Sequence, residues 1–197
     1  MRIVLLYPPP WKIPAPGEVP DNSGEGPPAA WSEAYQLSGD IVHIPCGLLS
    51  IAAQAKQAGH DVTVLNLYTF AWRDVCRIIQ AFPADLFGLS CFTSNRRGVL
   101  STAREIRRIY PRTHITVGGP HASALPREML EHCPAIDTIV IGEGEETVKE
   151  IIHHLENKQP VRDIAGTAWT DKDKPYMPKG ASGIGVRLIL DLIKEFK

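Results

Sequence analysis

Apolar residues along this chain fall in short runs, and helix-period stretches separate them. Arg2 to Tyr7 is a compact, β-branched run closed by Pro8-Pro9-Pro10, and it reads as a buried first strand. Gly47 to Gly59 carries Leu48, Ile51, Ala52 and Ala55 at helical spacing and stops at a glycine, the residue expected just past a helix end. Asp61 to Leu67 reads as a second strand, buried on both sides. Trp72 to Phe82 is a helix closed by Pro83, and Leu86 to Phe92 is a third strand that continues into Thr93, Ser94 and Asn95. Val99 to Tyr110 sets Leu100, Ala103, Ile106 and Ile109 on one helical face. Ile115 to Ser123 is a fourth strand that runs straight into Gly118-Gly119-Pro120, and a helix from Arg127 to His132 follows with Pro126 at its first turn. Thr138 to Ile141 is a fifth strand, followed by Gly142-Glu143-Gly144-Glu145-Glu146 and a helix from Thr147 to about Leu155.

Strand and helix alternate five times in this reading, which implies an α/β fold: a doubly wound, five-stranded parallel sheet of flavodoxin-like or Rossmann-like winding. In either winding Tyr7 to Pro10, Ser90 to Asn95, Gly118 to Ser123 and Gly142 to Glu145 leave the sheet on one edge. Ligands of such sheets bind in the crevice outside the strands' carboxyl ends. The two glycines are open to two readings, a tight β–α turn or a bare backbone kept clear for a ligand.

The remaining segments add less. Pro8 to Pro45 is rich in Pro, Gly, Ser and Glu but holds Trp11, Trp31 and Tyr35, so it reads as a binding loop or a mobile insertion. Ile164 to Trp169 and Lys174 to Met177 flank a polar turn and suggest a hairpin, and Ile184 to Phe196 reads as a terminal helix with an apolar stripe. The expected division is an α/β domain over residues 1–178 and a helical extension over 179–197.

Net charge is −1 over 197 residues, so the chain carries no electrostatic footprint for nucleic acid or an acidic membrane surface. Arg104, Arg107 and Arg108 read as a solvated helix face. The opening apolar run is too short for a signal peptide, and no segment approaches spanning length. Cys46, Cys76, Cys91 and Cys133 form no Cys-x-x-Cys pair, which points to a reduced, cytoplasmic setting without a zinc site or disulfide framework. No Gly-x-Gly-x-x-Gly follows the first strand and no Gly-Lys-Ser occurs, so dinucleotide and nucleoside-triphosphate readings lose their main support. The glutamates around Gly142-x-Gly144 would repel a phosphate.

Several strings, in order, carry a resemblance. Ile44-Pro45-Cys46-Gly47-Leu48-Leu49, Ala58-Gly59-His60-Asp61-Val62-Thr63-Val64-Leu65, Phe87-Gly88-Leu89-Ser90, Val117-Gly118-Gly119-Pro120-His121-Ala122-Ser123 and Ile141-Gly142-Glu143-Gly144-Glu145 resemble the amino-terminal cobalamin (B12)-binding domain of B12-dependent radical SAM enzymes. The resemblance implies cobalamin over the carboxyl edge with its nucleotide tail among the strand ends. On that footing Ser90 and Thr93 are expected to hydrogen-bond the tail, and Gly118 and Gly119 to give it room. Val117 and Leu89 are expected to line an apolar slot for the benzimidazole, and Gly142, Glu143, Gly144 and Glu145 to close its side. Tyr7, Pro8 and Pro9 are expected to approach the corrin, and Cys91, Phe92, Pro120 and His121 complete the expected cofactor-binding set. Replacing Gly119 with valine is expected to abolish retention of the cofactor and leave the fold nearly intact.

The chain departs from family patterns in two ways. It lacks the Asp-x-His-x-x-Gly string that carries a cobalt-ligating histidine in other cobalamin proteins, and neither His43 nor His121 is expected on the metal. It also lacks Cys-x-x-x-Cys-x-x-Cys, so no iron–sulfur cluster is expected in this chain. The favoured reading is a cobalamin-binding module, not catalytic alone, that positions a corrinoid for methyl transfer or radical chemistry on a separate radical SAM domain or partner. The alternative is a flavodoxin-like interaction or regulatory domain that no longer binds cofactor. Cys91 with His121 is the one conceivable nucleophile–base pair, and it is disfavoured.

Overall fold

The computed structural model describes residues 1–9, 45–171 and 174–176. The expectations for the Pro-rich loop, including Trp11, Trp31, Tyr35 and His43, and for the terminal helix lie outside the described residues. Five parallel strands form the middle of the fold: β1 (Arg2–Tyr7), β2 (Asp61–Asn66), β3 (Leu86–Ser90), β4 (His114–Gly118) and β5 (Thr138–Val140). Two antiparallel strands, β6 (Thr167–Asp171) and β7 (Lys174–Tyr176), extend the same sheet, whose order is β2-β1-β3-β4-β5-β6-β7. The expected hairpin is therefore part of the main sheet, paired to β5 through Thr138, Ile139 and Val140. The parallel part has the 2-1-3-4-5 order of the flavodoxin-like winding, which reverses at β1 and β3.

Helices cover both faces. Helix α1 (Cys46–Gln57) lies on one face with the last described helix, α6 (Glu145–Glu156). Helices α2 (Trp72–Ala81), α3 (Arg96–Ile109), α4 (Pro120–Ala124) and α5 (Pro126–His132) cover the other. The core is split the same way. Leu5, Leu86 and Val140 pack with Leu48, Ala52 and Ile151 beneath α1 and α6, while Val4, Phe87, Ile115 and Val117 pack with Val75, Ala103 and Met129 on the opposite side. The strands run as near-continuous apolar stretches because both of their faces are buried. The exception is β2. It stands at the sheet edge with Asp61 exposed and Thr63 to Asn66 half-buried, which corrects the expectation of burial on both sides: the outermost strand has only one neighbour.

The basic cluster of α3 is engaged within the fold. Arg107 donates to the carbonyls of Pro111, Thr113 and Ala135 and to the Asp137 carboxylate, Arg104 donates to the His132 carbonyl, and Arg108 pairs with Glu105. Asp137 also accepts from the Ile115 backbone N–H at 2.7 Å, so one carboxylate joins α3 to the start of β4.

His114 sits beside this junction, its Nε2 3.0 Å from Thr138 Oγ1. Burial pushes its pKa below the usual imidazole range; the Asp137 carboxylate opposes the shift and the Arg107 guanidinium adds to it. The unfolded chain therefore takes up this proton before the native one does. The stability concerned is fully present above an unfolded value of about 6.5 and is lost as pH falls towards the native value. Between about pH 7 and about pH 5 the urea midpoint of the native sequence is expected to fall further than that of His114→Gln. Parallel losses in the two proteins would show that His114 is not involved.

Candidate cofactor site

The carboxyl edge is built from four strand ends, and two of them are tied by one buried amide. Asn95, at the start of α3, donates from Nδ2 to the carbonyls of Pro8 (3.2 Å) and Ser90 (3.1 Å), and its Oδ1 accepts the Phe92 N–H at 2.7 Å. It is fully buried, so these bonds satisfy a group that would otherwise be costly to enclose. At Gly98 a Cβ would lie 1.9 Å from the Pro9 carbonyl oxygen, so α3 seats directly on the end of the β1 segment. Tyr7, Pro8 and Pro9 are consequently buried beneath the crest. The Tyr7 ring lies 6.0 Å from both Tyr68 and Phe92; Tyr7 is buried, Tyr68 half-buried and Phe92 exposed. Burial, with Tyr68 and Cys91 adding to it, raises the Tyr7 pKa, so its phenol stays protonated.

The end of β4 is fixed by backbone contacts. Gly119 has φ +101° and ψ 175°, a conformation confined almost entirely to glycine. A Cβ there would meet the Cys91 carbonyl oxygen at 2.8 Å and the Cys91 nitrogen at 3.1 Å. Cys91 N–H donates to the Gly118 carbonyl at 2.8 Å, and the Cys91 carbonyl accepts from His121 N–H at 3.1 Å. Gly119 is therefore bare because two crest loops pack backbone to backbone, and the expectation that valine there would spare the fold does not survive. Pro120 opens α4 directly, so the expected strand over Ile115 to Ser123 ends at Gly118 and its last residues are helical. Gly118 is different. A Cβ there would meet Val140 Cβ at 3.6 Å, ordinary contact, and the φ of this residue is not in the left-handed region.

Beside Gly118 opens a cavity of about 140 Å³, running from the carboxyl edge down between the sheet and helices α1 and α6. Its floor is Leu5 of β1, then Leu86, Gly88 and Ser90 of β3, Thr116 and Gly118 of β4, and Val140 of β5. These are alternate residues along each strand, as they must be to share a face. Its walls are Gly47, Leu48 and Ile51 of α1 and Gly144, Glu145 and Val148 of α6, with Gly119, Gly142 and Glu143 at the mouth. Ser50 Oγ donates to Glu145 Oε1 at 2.8 Å and clasps the two helix amino termini together across it.

Of the expected site residues, Ser90, Gly118, Gly119, Gly142, Glu143, Gly144 and Glu145 line this cavity, and Leu89 borders it while its side chain is buried in the opposite core, so it does not form the expected apolar slot. Val117 does not line it. It is fully buried in the opposite core, because the residue between Thr116 and Gly118 must point to the other face. Cys91 is also buried away from the cavity, its Sγ 3.9 Å from Met129 Sδ. Burial, only partly offset by Arg96, pushes that thiol up to about 12, which leaves no thiolate for a Cys91–His121 pair. Thr93 and His121 meet above the crest, Oγ1 to Nδ1 at 3.2 Å, and burial with Arg96 holds the imidazole below its usual pKa.

The sequence reading missed Leu5, Gly47, Leu48, Ile51, Leu86, Gly88, Thr116, Val140 and Val148 as lining residues. Period-two counting back from Gly118 and Ser90 finds Thr116, Gly88 and Leu86. The rest follow only from the strand order.

A slot of this kind, apolar and opening at the switch edge of a parallel sheet, defines a cofactor-binding α/β domain. The family model described as the B12 binding domain matches residues 38–152, more than half of the 197. The chain belongs to that family and is a cobalamin-binding module.

It is 36% identical over 129 residues to the anaerobic magnesium-protoporphyrin IX monomethyl ester cyclase of Synechocystis, a match covering 64% of this chain and 26% of that protein. It is 29% identical over 132 residues to an uncharacterized methyltransferase of Pyrococcus horikoshii, covering 66% of this chain and 28% of that protein. The chain thus spans between a quarter and a third of the length of these relatives. The fold also matches the radical S-adenosylmethionine methyltransferase TsrM of Kitasatospora setae, whose structure holds cobalamin and a [4Fe-4S] cluster. The TM-score is 0.59 at 17% identity, over 88% of this chain and 28% of that one. A separate, short likeness covers 32 residues, 16% of the chain, at 62% identity to a probable cytosol aminopeptidase of Geobacter sulfurreducens.

Among the described residues, no helix is long and apolar enough to cross a membrane.

Proposed function

We propose that the nucleotide tail of cobalamin enters the cavity between the sheet, α1 and α6, and that the corrin lies over the crest formed by the β1, β3 and β4 ends. The observation that carries this is the cavity beside Gly118: about 140 Å³, floored by glycines and apolar side chains and open at the carboxyl edge. An apolar cavity of about 150 Å³ takes up an aromatic ring such as benzene, so the dimensions and the lining both fit a benzimidazole. Gly118 leaves the entrance clear, Leu5, Ile51 and Val140 supply apolar contact, and Ser90 presents a hydroxyl at the mouth. Glu145, clasped by Ser50, walls the side, and Thr93 with His121 stands above the crest. Neither His43 nor His121 is assigned to the metal.

Bound cobalamin supplies a cobalt centre able to carry a methyl group or form a radical, and this chain's residues supply enclosure and orientation. By analogy with its relatives, the domain works beside a radical SAM domain or partner, in the cytoplasm and without nucleic acid. We assign residues 1–178 to the cofactor domain and 179–197 to a separate extension; that the β6–β7 hairpin joins the main sheet supports carrying the domain at least as far as Tyr176.

The direct test is to incubate the full chain with hydroxocobalamin, desalt it and read the visible spectrum. Colour retained near one equivalent is expected, with a higher melting temperature in excess ligand. At a hundred times the dissociation constant, binding adds roughly 2.7 kcal/mol to stability. A colourless protein with an unchanged melting temperature would favour a domain that has lost its cofactor.

A further inference from the structure

The winding of the sheet reverses between β1 and β3, and in sheets of this class the ligand crevice opens at that point. The ladder between these two strands stops short of the crest. Its last pair is Leu6 with Leu89, whereas β1 stays paired to β2 as far as Tyr7 and β3 to β4 as far as Ser90. Pro8 and Pro9 come next on the β1 side and carry no backbone N–H to donate. Each flank has its own tie, from Leu67 N–H to the Tyr7 carbonyl at 2.9 Å and from Cys91 N–H to the Gly118 carbonyl at 2.8 Å. The crest therefore consists of two halves that meet at a seam.

Asn95 bridges that seam. Its Nδ2 takes over where the ladder ends, donating to the Pro8 carbonyl on one half and the Ser90 carbonyl on the other. Its Oδ1 accepts the Phe92 N–H while its own N–H donates to the Phe92 carbonyl at 3.2 Å, which closes residues 92–95 into one turn. Pro8, Ser90 and Phe92 fall outside the two packed cores, so these bonds order the crest and not the packing beneath it. Phe92 is 39% exposed and its ring meets Tyr7 across the same seam. We propose that Asn95 is a positioning residue for the corrin: with no exposed surface of its own, it acts through the backbone it holds, keeping the β1 and β3 ends together as one seat for the macrocycle. The inference rests on the corrin lying over the crest.

Asn95→Asp keeps the shape and the acceptor but turns a carboxylate oxygen towards two carbonyls, and Asn95→Ala removes the amide with less conflict. The full chain and both variants are titrated with cobalamin and with cobinamide, which has no nucleotide tail, below their unfolding transitions. Both corrinoids are expected to lose at least about tenfold in affinity, by factors agreeing within about threefold, because the seam holds the macrocycle and not the tail. At saturation the visible circular dichroism of the bound corrin is expected to differ from that of the native complex, a change that lost stability alone does not produce. Native affinities in a folded variant would confine Asn95 to a structural role and overturn the proposal, and so would a loss for cobalamin alone, which would assign Asn95 to the tail. If neither variant folds, hydrogen exchange on the native protein decides: cobinamide is expected to slow exchange of the Phe92 amide by at least about tenfold, and unchanged exchange overturns the proposal. If the native protein does not bind cobinamide at all, the corrin is not seated on the crest, and the proposal falls with the reading beneath it.

Discussion

Replacing Gly118 with leucine is expected to weaken cobalamin binding by at least about 30-fold while the protein remains folded. The factor corresponds to losing the burial of a ring worth about 2 kcal/mol. Position 118 sits on the cavity face of β4, and its Cβ would stand at ordinary contact distance from Val140, so the backbone accepts a side chain there. The atoms beyond Cβ have the cavity as their nearest free space and occupy the volume meant for the ligand. Gly118→Ala, adding one methyl, should lose far less. Equilibrium titration with hydroxocobalamin separates the two variants, and denaturant unfolding confirms that both are folded. Unchanged affinity in Gly118→Leu would mean that the tail takes another route.

Gly119→Ala is expected to behave in the opposite way, as a stability variant. Its φ of +101° costs a non-glycine residue of order 1–3 kcal/mol, and the added Cβ would press on the Cys91 backbone, which is pinned by hydrogen bonds to Gly118 and His121. A loss of about 3 kcal/mol corresponds to a fall in Tm of roughly 6–12 °C for a domain of this size. Differential scanning calorimetry of the apo-protein measures it without any cofactor. A Tm within about 1 °C of the native protein would contradict the packing account of this glycine. The adjacent glycines thus separate into one that clears a ligand path and one that lets two loops touch.

That separation marks where the sequence stopped being informative. The five strands and their helices were legible because a parallel sheet buried on both faces leaves short apolar runs between helix-period segments; β1 and β3 begin where those runs predict, and β4 stops at Gly118 instead of running to Ser123. The edge placement of β2 was not legible, since Val62, Val64 and Leu65 look alike in a central or an outer strand until pairing is known. The crest loops were identifiable by their glycines, and eight of the seventeen residues expected at the site line or border the cavity. Val117 was misplaced by one residue of register, which strand periodicity alone would have corrected. Ile51 and Val148 could not be found at all, because their meeting depends on α1 and α6 sharing a face, a consequence of where the chain crosses the sheet. Gly119 was misjudged because a sequence does not say whether a bare backbone faces a ligand or another strand end.

The most direct test is the difference in affinity between cobalamin and cobinamide, which share the corrin and differ in the tail. If the cavity under α1 and α6 receives the tail, cobalamin should bind at least about 30-fold more tightly at equal ionic strength. Equal dissociation constants would show that the corrin alone is recognised and that the cavity plays no part in holding the cofactor.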